Sequence, residues 1–207
     1  MVNYGFAPSK MDGTEHKFKE MKIELPEAVS YKEYLPKVLD QGNRPICVPC
    51  SVSAYINWNL NLKDGVNDRD NGVDYEDIYS HRTTQGDDGM TFKDAFHYLR
   101  HNCCKLNDGC EKTVDRYALV GSEIQLKQAL LMNGPCVGGL PVYDTTRDEF
   151  WYRNGDYKGG HAISIVGYNK DGFIIRNSWG RWYGDNGYAI LPYDDFNYFM
   201  EVWSVIN

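Results

Sequence analysis

Along the 207-residue chain the spacing of apolar positions changes twice. Residues 1–24 are polar, with Gly5, Pro8 and Gly13 among them, and show no period, so they read as an N-terminal extension or arm. From Leu25-Pro26 onward the sequence becomes periodic, and 25–207 is expected to form the folded domain. Val48, Val52, Ile56 and Leu60 recur at every fourth position, which sets them on one face of a helix. Pro49 stands in the first turn of that helix, where a missing N–H costs little, so Cys47 lands at its N-terminus. Residues 61–74, rich in Asp, Asn and Gly, read as a solvated loop, without the Asp-x-Asp-x-Asp-Gly order of a calcium loop. A second helix begins at Thr91 with Asp94 as capping-box partner and buries Phe92, Ala95, Phe96 and Leu99. A third starts at Ser122 with Gln125 behind it, buries Leu126, Ala129 and Leu130, and ends at Asn133-Gly134-Pro135.

Beyond that point the period shortens. Stretches 136–143, 162–168, 173–177, 188–191 and 199–206 read as strands separated by Gly, Asn and Asp turns, with Asn169-Lys170-Asp171-Gly172 as a hairpin turn. Helices first and strands second predict an α+β protein of two lobes, a helical one over about 40–119 and a β-rich one over about 120–207.

Composition narrows the function classes. With 42% hydrophobic and 25% charged residues the chain has the make-up of a soluble globular protein. A net charge of −7 and a pI near 5.2 argue against a nucleic-acid partner, which would want a basic stripe. No stretch approaches the roughly 18 apolar residues of a membrane span. No apolar run follows the basic residues near the start, so no secretory signal is visible and a cytoplasmic setting is expected. In that setting the 6 cysteines read as mostly reduced thiols. Cys103, Cys104 and Cys110 beside His97 and His101 lack the CxxC spacing of a zinc cluster, and neither metal nor cofactor is expected.

Three segments carry candidate chemistry. The first is Asp40-Gln41-Gly42-Asn43-Arg44-Pro45-Ile46-Cys47. A thiol attacks only as thiolate, and a helix N-terminus or a neighbouring imidazolium lowers its pKa. Gln41 could turn its amide toward an oxyanion and work with the Cys47 backbone N–H. The second is Gly159-Gly160-His161-Ala162, a histidine opening an apolar strand. The third is Arg176-Asn177-Ser178-Trp179-Gly180, where an Asn carbonyl can fix the rotamer and tautomer of an imidazole and Trp179 can shield that bond. Taken singly, each has a plain reading: a buried cysteine, a structural histidine, a turn asparagine.

Together they resemble the papain family of cysteine peptidases, from about Leu25 to the C-terminus. Gln41-Gly42 with Cys47, Gly160-His161-Ala162, Asn177-Ser178-Trp179-Gly180 and Asp185-Asn186-Gly187-Tyr188 match the family's blocks, whose triad is Cys-His-Asn. The resemblance implies a two-lobe fold, helical then β-barrel-like, with the active site in the cleft between the lobes. It implies Cys47 as nucleophile, His161 as acid and base, Asn177 as orienter and Gln41 as oxyanion donor, acting on a polypeptide substrate. Cys50 is the weaker candidate nucleophile, because the field of the helix N-terminus fades within the first turn. By position in the family, Gly89 and Met90 bind substrate backbone, Gly139 and Gly160 line a roomy, apolar side-chain pocket, and Trp179 and Tyr183 also border the substrate, Tyr183 standing where relatives wall the leaving-group side with Trp. The chain departs from the pattern at Val48, where an aromatic is usual, and at Arg44, where a disulfide cysteine is usual. No inhibitory prosegment of the usual length precedes the domain. The same triad would serve a deamidase or acyl transferase, and an inactive binding module is the alternative outside enzymology.

Overall fold

The structure is a computed structural model that describes residues 5–86, 89–143 and 149–207. Helix α1 (Cys47–Asp64) runs through the middle of the molecule and ends where Gly65 takes a left-handed φ of 66°. It is not one-faced. Ser51, Ser53, Tyr55, Asn57 and Trp58 are buried along with Val48, Val52 and Ile56, because the helix has neighbours on both sides. The buried hydroxyls of Ser51 and Ser53 donate to the carbonyls of Val48 and Cys50, and Asn57 Nδ2 donates to the Ser53 carbonyl, so the polar positions are satisfied within the helix. Each fully buried aliphatic side chain here contributes about 1.5–3 kcal/mol.

One neighbour is helical. The short α2 (Tyr75–Ser80) is capped by Asp74, and α3 (Phe92–His101) is capped by the Thr91 hydroxyl, which accepts from Asp94 N. A hairpin of β2 (Cys104–Leu106) and β3 (Gly109–Glu111) follows. Cys103 and Cys110 are disulfide-bonded across it, which removes both as metal ligands; Cys47, Cys50, Cys104 and Cys136 are free and buried.

The other neighbour is an antiparallel sheet. Its strands are β1 (Val29–Ser30), β4 (Arg116–Leu119), β5 (Cys136–Tyr143), β6 (Tyr157–Asn169), β7 (Gly172–Arg176), β8 (Tyr188–Leu191) and β9 (Glu201–Ile206). The order is β4-β9-β5-β6-β7-β8, and β1 pairs with β6 at Gly167 and Tyr168, beyond the end of β5. Among the described residues β4 and β8 do not pair, so the sheet is open, not the barrel the family resemblance implies. Helix α4 (Glu123–Asn133) is capped by Ser122 and closes at Gly134.

Alternation along β6 divides the interior in two. Ala162 and Val166 join α1, α2 and α3 in one core, while Ile163 and Ile165 join α4, Phe173 and Ile175 in a second. The sheet is therefore a wall between two cores, and β6 carries side chains into both.

The arm is docked along this body. Phe18 N donates to the Leu119 carbonyl and Leu119 N to that of His16. Met21 N donates to Gln128 Oε1, and Gln128 Nε2 donates back to the Met21 carbonyl at 2.6 Å. Farther toward the N-terminus, Gly5–Ala7 lie between Met90 and Gly160.

Candidate active site

The site forms where α1 begins, β6 enters the sheet, and the chain leaves β7. The N-cap of α1 is Ile46, whose side chain offers no acceptor, so the first N–H groups of the helix are left for other partners. The backbone N–H groups of Cys47 and Val48 favour a negative charge on the Cys47 sulfur, and Ala162 N donates to Sγ at 3.4 Å. His161 is fully buried at the start of the apolar run of β6. Its Nε2 lies 2.7 Å from Asn177 Oδ1, and Ser178 N donates to the same oxygen at 2.7 Å. The Ser178 N–H can only donate, so it fixes the Asn177 amide with Oδ1 toward it and toward the imidazole, and a flip would lose that bond. The acceptor fixes the tautomer: the proton sits on Nε2, which leaves Nδ1 for the opposite side of the ring. Asn177 Nδ2 is buried with no hydrogen-bond partner among the described residues.

Rings hold the imidazole. Trp179 stacks on His161 with centroids 4.6 Å apart, and Phe150 meets it edge-on at 5.5 Å. Tyr183 stands perpendicular to Trp179 at 5.5 Å. Gln41 is buried, and its backbone N donates to the Ser178 carbonyl. Its Oε1 accepts from the Ser178 hydroxyl at 2.5 Å and its Nε2 donates to the Arg44 carbonyl at 2.9 Å. An amide nitrogen has two hydrogens, so one remains for a developing oxyanion.

Ser178 and Phe150 were not singled out by the sequence. Ser178, beside Asn177, clamps both the asparagine and the glutamine. Phe150 follows a polar segment without a period, and only its pairing with Trp151 sets it apart.

Of the six positions expected to bind substrate, Trp179 and Tyr183 stand with the rings around His161, and Gly89, Met90, Gly139 and Gly160 converge on the arm. Met90 N donates to the Gly5 carbonyl at 2.9 Å, Ala7 N donates to the Met90 carbonyl at 3.0 Å, and Phe6 N donates to the Gly160 carbonyl at 3.2 Å. Gly89, at φ +80°, lets Gly5 approach; a Cβ there would lie 2.3 Å from Gly5 carbonyl atoms. A Cβ on Gly139 would lie 2.2 Å, and one on Gly160 2.6 Å, from the Phe6 ring. Phe6 thus fills the space two missing side chains leave. In this form Cys47 and His161 are each 0% exposed.

Burial decides the protonation of the nucleophile in this arm-docked form. It pushes the Cys47 thiol far up, and the N–H groups of Ala162, Val48 and Cys47 pull the other way but do not offset it. Cys50, one turn on, is pushed up to about 12 by burial as well. The sequence-based expectation of a depressed Cys47 pKa does not describe this form.

The sequence matches the family described as papain family cysteine protease over residues 62–200, a span that contains His161 and Asn177 and begins downstream of Cys47. Cysteine proteinase 3 of Entamoeba histolytica is 27% identical over 201 residues, covering 83% of this chain and 64% of that protein. Procathepsin L of Felis catus is 24% identical over 216 residues, covering 85% of this chain and 63% of that protein. The chain thus spans less than two thirds of the length of these curated relatives. Xylellain, a cysteine protease from Xylella fastidiosa, shares the fold with a TM-score of 0.83 at 21% identity, over 100% of this chain and 96% of that one. The chain belongs to the papain family of cysteine proteases.

Proposed function

We propose that this chain is a cysteine peptidase that cleaves polypeptides by acyl transfer through Cys47. The observation that carries the reading is the buried His161 Nε2–Asn177 Oδ1 hydrogen bond, directly beside the Ala162 N–H that faces the Cys47 sulfur. In the reactive form the thiolate attacks the peptide carbonyl carbon, and the carbonyl electrons move onto oxygen. The Cys47 N–H and the second hydrogen of Gln41 Nε2 bind that oxyanion. As it collapses the C–N bond breaks, His161 gives its proton to the leaving amine, and a thioester remains. His161 then takes a proton from water, whose oxygen attacks the thioester and releases Cys47.

Docking of the arm is incompatible with this cycle, since Gly5–Ala7 bond to Met90 and Gly160 and the Phe6 ring fills the space at Gly139 and Gly160, where the substrate is expected to lie. The competent form is therefore the one with Gly5–Ala7 displaced.

Two measurements test the assignment. After limited reaction with an epoxysuccinyl probe, peptide mapping is expected to find Cys47 modified before Cys50, Cys104 and Cys136; modification of Cys50 first, with Cys47 untouched, would overturn it. Gln41→Ala is expected to lower kcat by about 10²- to 10³-fold at unchanged KM, the usual effect of deleting one oxyanion donor. A rise in KM alone would make Gln41 a residue of ground-state binding.

A further inference from the structure

Arg176, the last residue of β7, is a buried cation without a carboxylate partner. It is 6% exposed. Its Nη1 donates to the Tyr188 hydroxyl at 2.7 Å and its Nη2 to the Lys37 carbonyl at 3.1 Å. Both acceptors are neutral, and no ion pair forms at the guanidinium among the described residues. A second cation shares the neighbourhood: Lys32 Nζ stands 4.3 Å from the centroid of the Tyr188 ring, over which Arg176 lies at 5.7 Å. Glu76, whose charge reaches Cys50 together with that of Arg176, is paired with Arg44 at 3.1 Å. A buried charge is costly until it is paired, so this corner of the molecule holds positive charge that the chain itself does not balance.

Beside Arg176 lies a cavity with about 10 Å³ of room, enough for one water or one monatomic ion. Cys50 and Ser51 of α1, Ser164 of β6, and Arg176, Asn177 and Ser178 at the end of β7 line it. The three hydroxyl hydrogens are spent elsewhere: Ser51 donates to the Val48 carbonyl, Ser164 to the Ser51 carbonyl, and Ser178 to Gln41 Oε1. The hydrogens left over belong to two groups. One is Asn177 Nδ2, buried with no partner among the described residues. The other is the guanidinium, in which only two of five N–H groups are engaged. The Cys50 thiol, pushed up to about 12 by burial, stays protonated and brings no negative charge. A water could accept from Nδ2 but would leave the charge of Arg176 unbalanced. An anion answers both needs.

We propose that this cavity binds a single monatomic anion of the size of chloride, held by the Arg176 guanidinium and the Asn177 Nδ2 group. The ion pairs with the buried cation, and its lone pairs take the orphaned amide hydrogens. Asn177 Oδ1 is bonded to His161 Nε2 at 2.7 Å, so an anion at Nδ2 holds the same amide in the orientation that His161 needs. The anion is thus a positioning element for the His161–Asn177 pair, not a participant in any bond that forms or breaks. No residue that lines the cavity belongs to the arm, so the site exists whether the arm is docked or displaced. The inference stands on charge and donor count and does not depend on the reaction at Cys47.

Two measurements on the full chain test it without turnover. The first is thermal melting at constant ionic strength as sodium chloride replaces sodium gluconate, whose anion is too large for the cavity. The melting temperature is expected to rise saturably, by about 5 to 10 °C once chloride is in about a hundredfold excess over its dissociation constant. Arg176→Gln, which keeps an amide donor and removes the charge, should flatten that dependence. The second is a crystal grown in sodium bromide, whose anomalous map is expected to show a peak within hydrogen-bond reach of both the Arg176 guanidinium and Asn177 Nδ2. The bromide map and the titration of the unaltered chain need no variant, so they decide the matter even where Arg176→Gln does not fold. A melting temperature indifferent to the exchange, a chloride effect of equal size in folded Arg176→Gln, or a cavity that holds only a water in bromide would each overturn the proposal.

Discussion

Cys47→Ala is expected to abolish peptide hydrolysis, with a fall in kcat of about 10⁵- to 10⁶-fold, the scale seen when a covalent nucleophile is removed from a triad that works as a unit. The sulfur has no understudy. Cys50 lies a turn farther into α1 and lines a small cavity together with Ser51, Ser164 and Asn177. Asn177→Ala should behave differently. Its Oδ1 only orients His161, and the imidazole remains stacked on Trp179 and edged by Phe150 when the amide is gone. The expected loss is one charge-assisted hydrogen bond, about 10- to 100-fold in kcat. Single-turnover rates on both variants, each shown folded by thermal melting, check this. Equal and total loss in both would give Asn177 a larger part than orientation.

The legible elements are those whose signal is local. Thr91 and Ser122 accept from the N–H three residues on, Gly134 ends α4, and Asn169 Oδ1 holds the turn between β6 and β7 by accepting from Asp171 N and Gly172 N. Strand 136–143 is legible because it is buried on both faces and rich in apolar residues. Short elements without a full period escape: α2, the β2–β3 hairpin and β4 span 6, 3, 3 and 4 residues. The one-faced pattern of α1 misleads because Ser, Asn and Tyr positions are buried as well, their hydrogen bonds closed within the helix or against neighbours. The Cys, His and Asn of the site are legible as residue types in spaced blocks. The relation of the arm to that site is not. A single Phe6 in a polar segment makes no period, so nothing local tells that its ring packs at Gly139 and Gly160.

Phe6→Ala should raise the apparent activity of the chain and the reactivity of Cys47 by the same factor. While the arm is docked, Cys47 is fully covered, so alkylation by iodoacetamide proceeds through the fraction of molecules with the arm displaced. Phe6 is the anchor of that docking: its ring is 4% exposed and fills the space at Gly139 and Gly160. Truncating a buried phenylalanine costs about 3–5 kcal/mol, which shifts the docking equilibrium by about two to four orders of magnitude. The arm occupies the groove that substrate needs, so it acts as a competitive inhibitor within the chain. The gain should therefore appear as a lower apparent KM at unchanged kcat, matched by an equal rise in alkylation rate. A pH dependence follows with a definite sign. The docked form holds the Cys47 thiol far above its ordinary value of 9.0 by burial, whereas the displaced form ionises lower, beside His161 and the α1 N-terminus. Docking is thus fully favoured below the thiol pKa of the displaced form and weakens as pH rises above it. The activating effect of Phe6→Ala should be largest at acidic to neutral pH and shrink toward pH 9. Alkylation rates against pH for the two proteins decide the matter. Superimposable profiles, or a Phe6→Ala gain confined to kcat, would show that the arm does not gate Cys47.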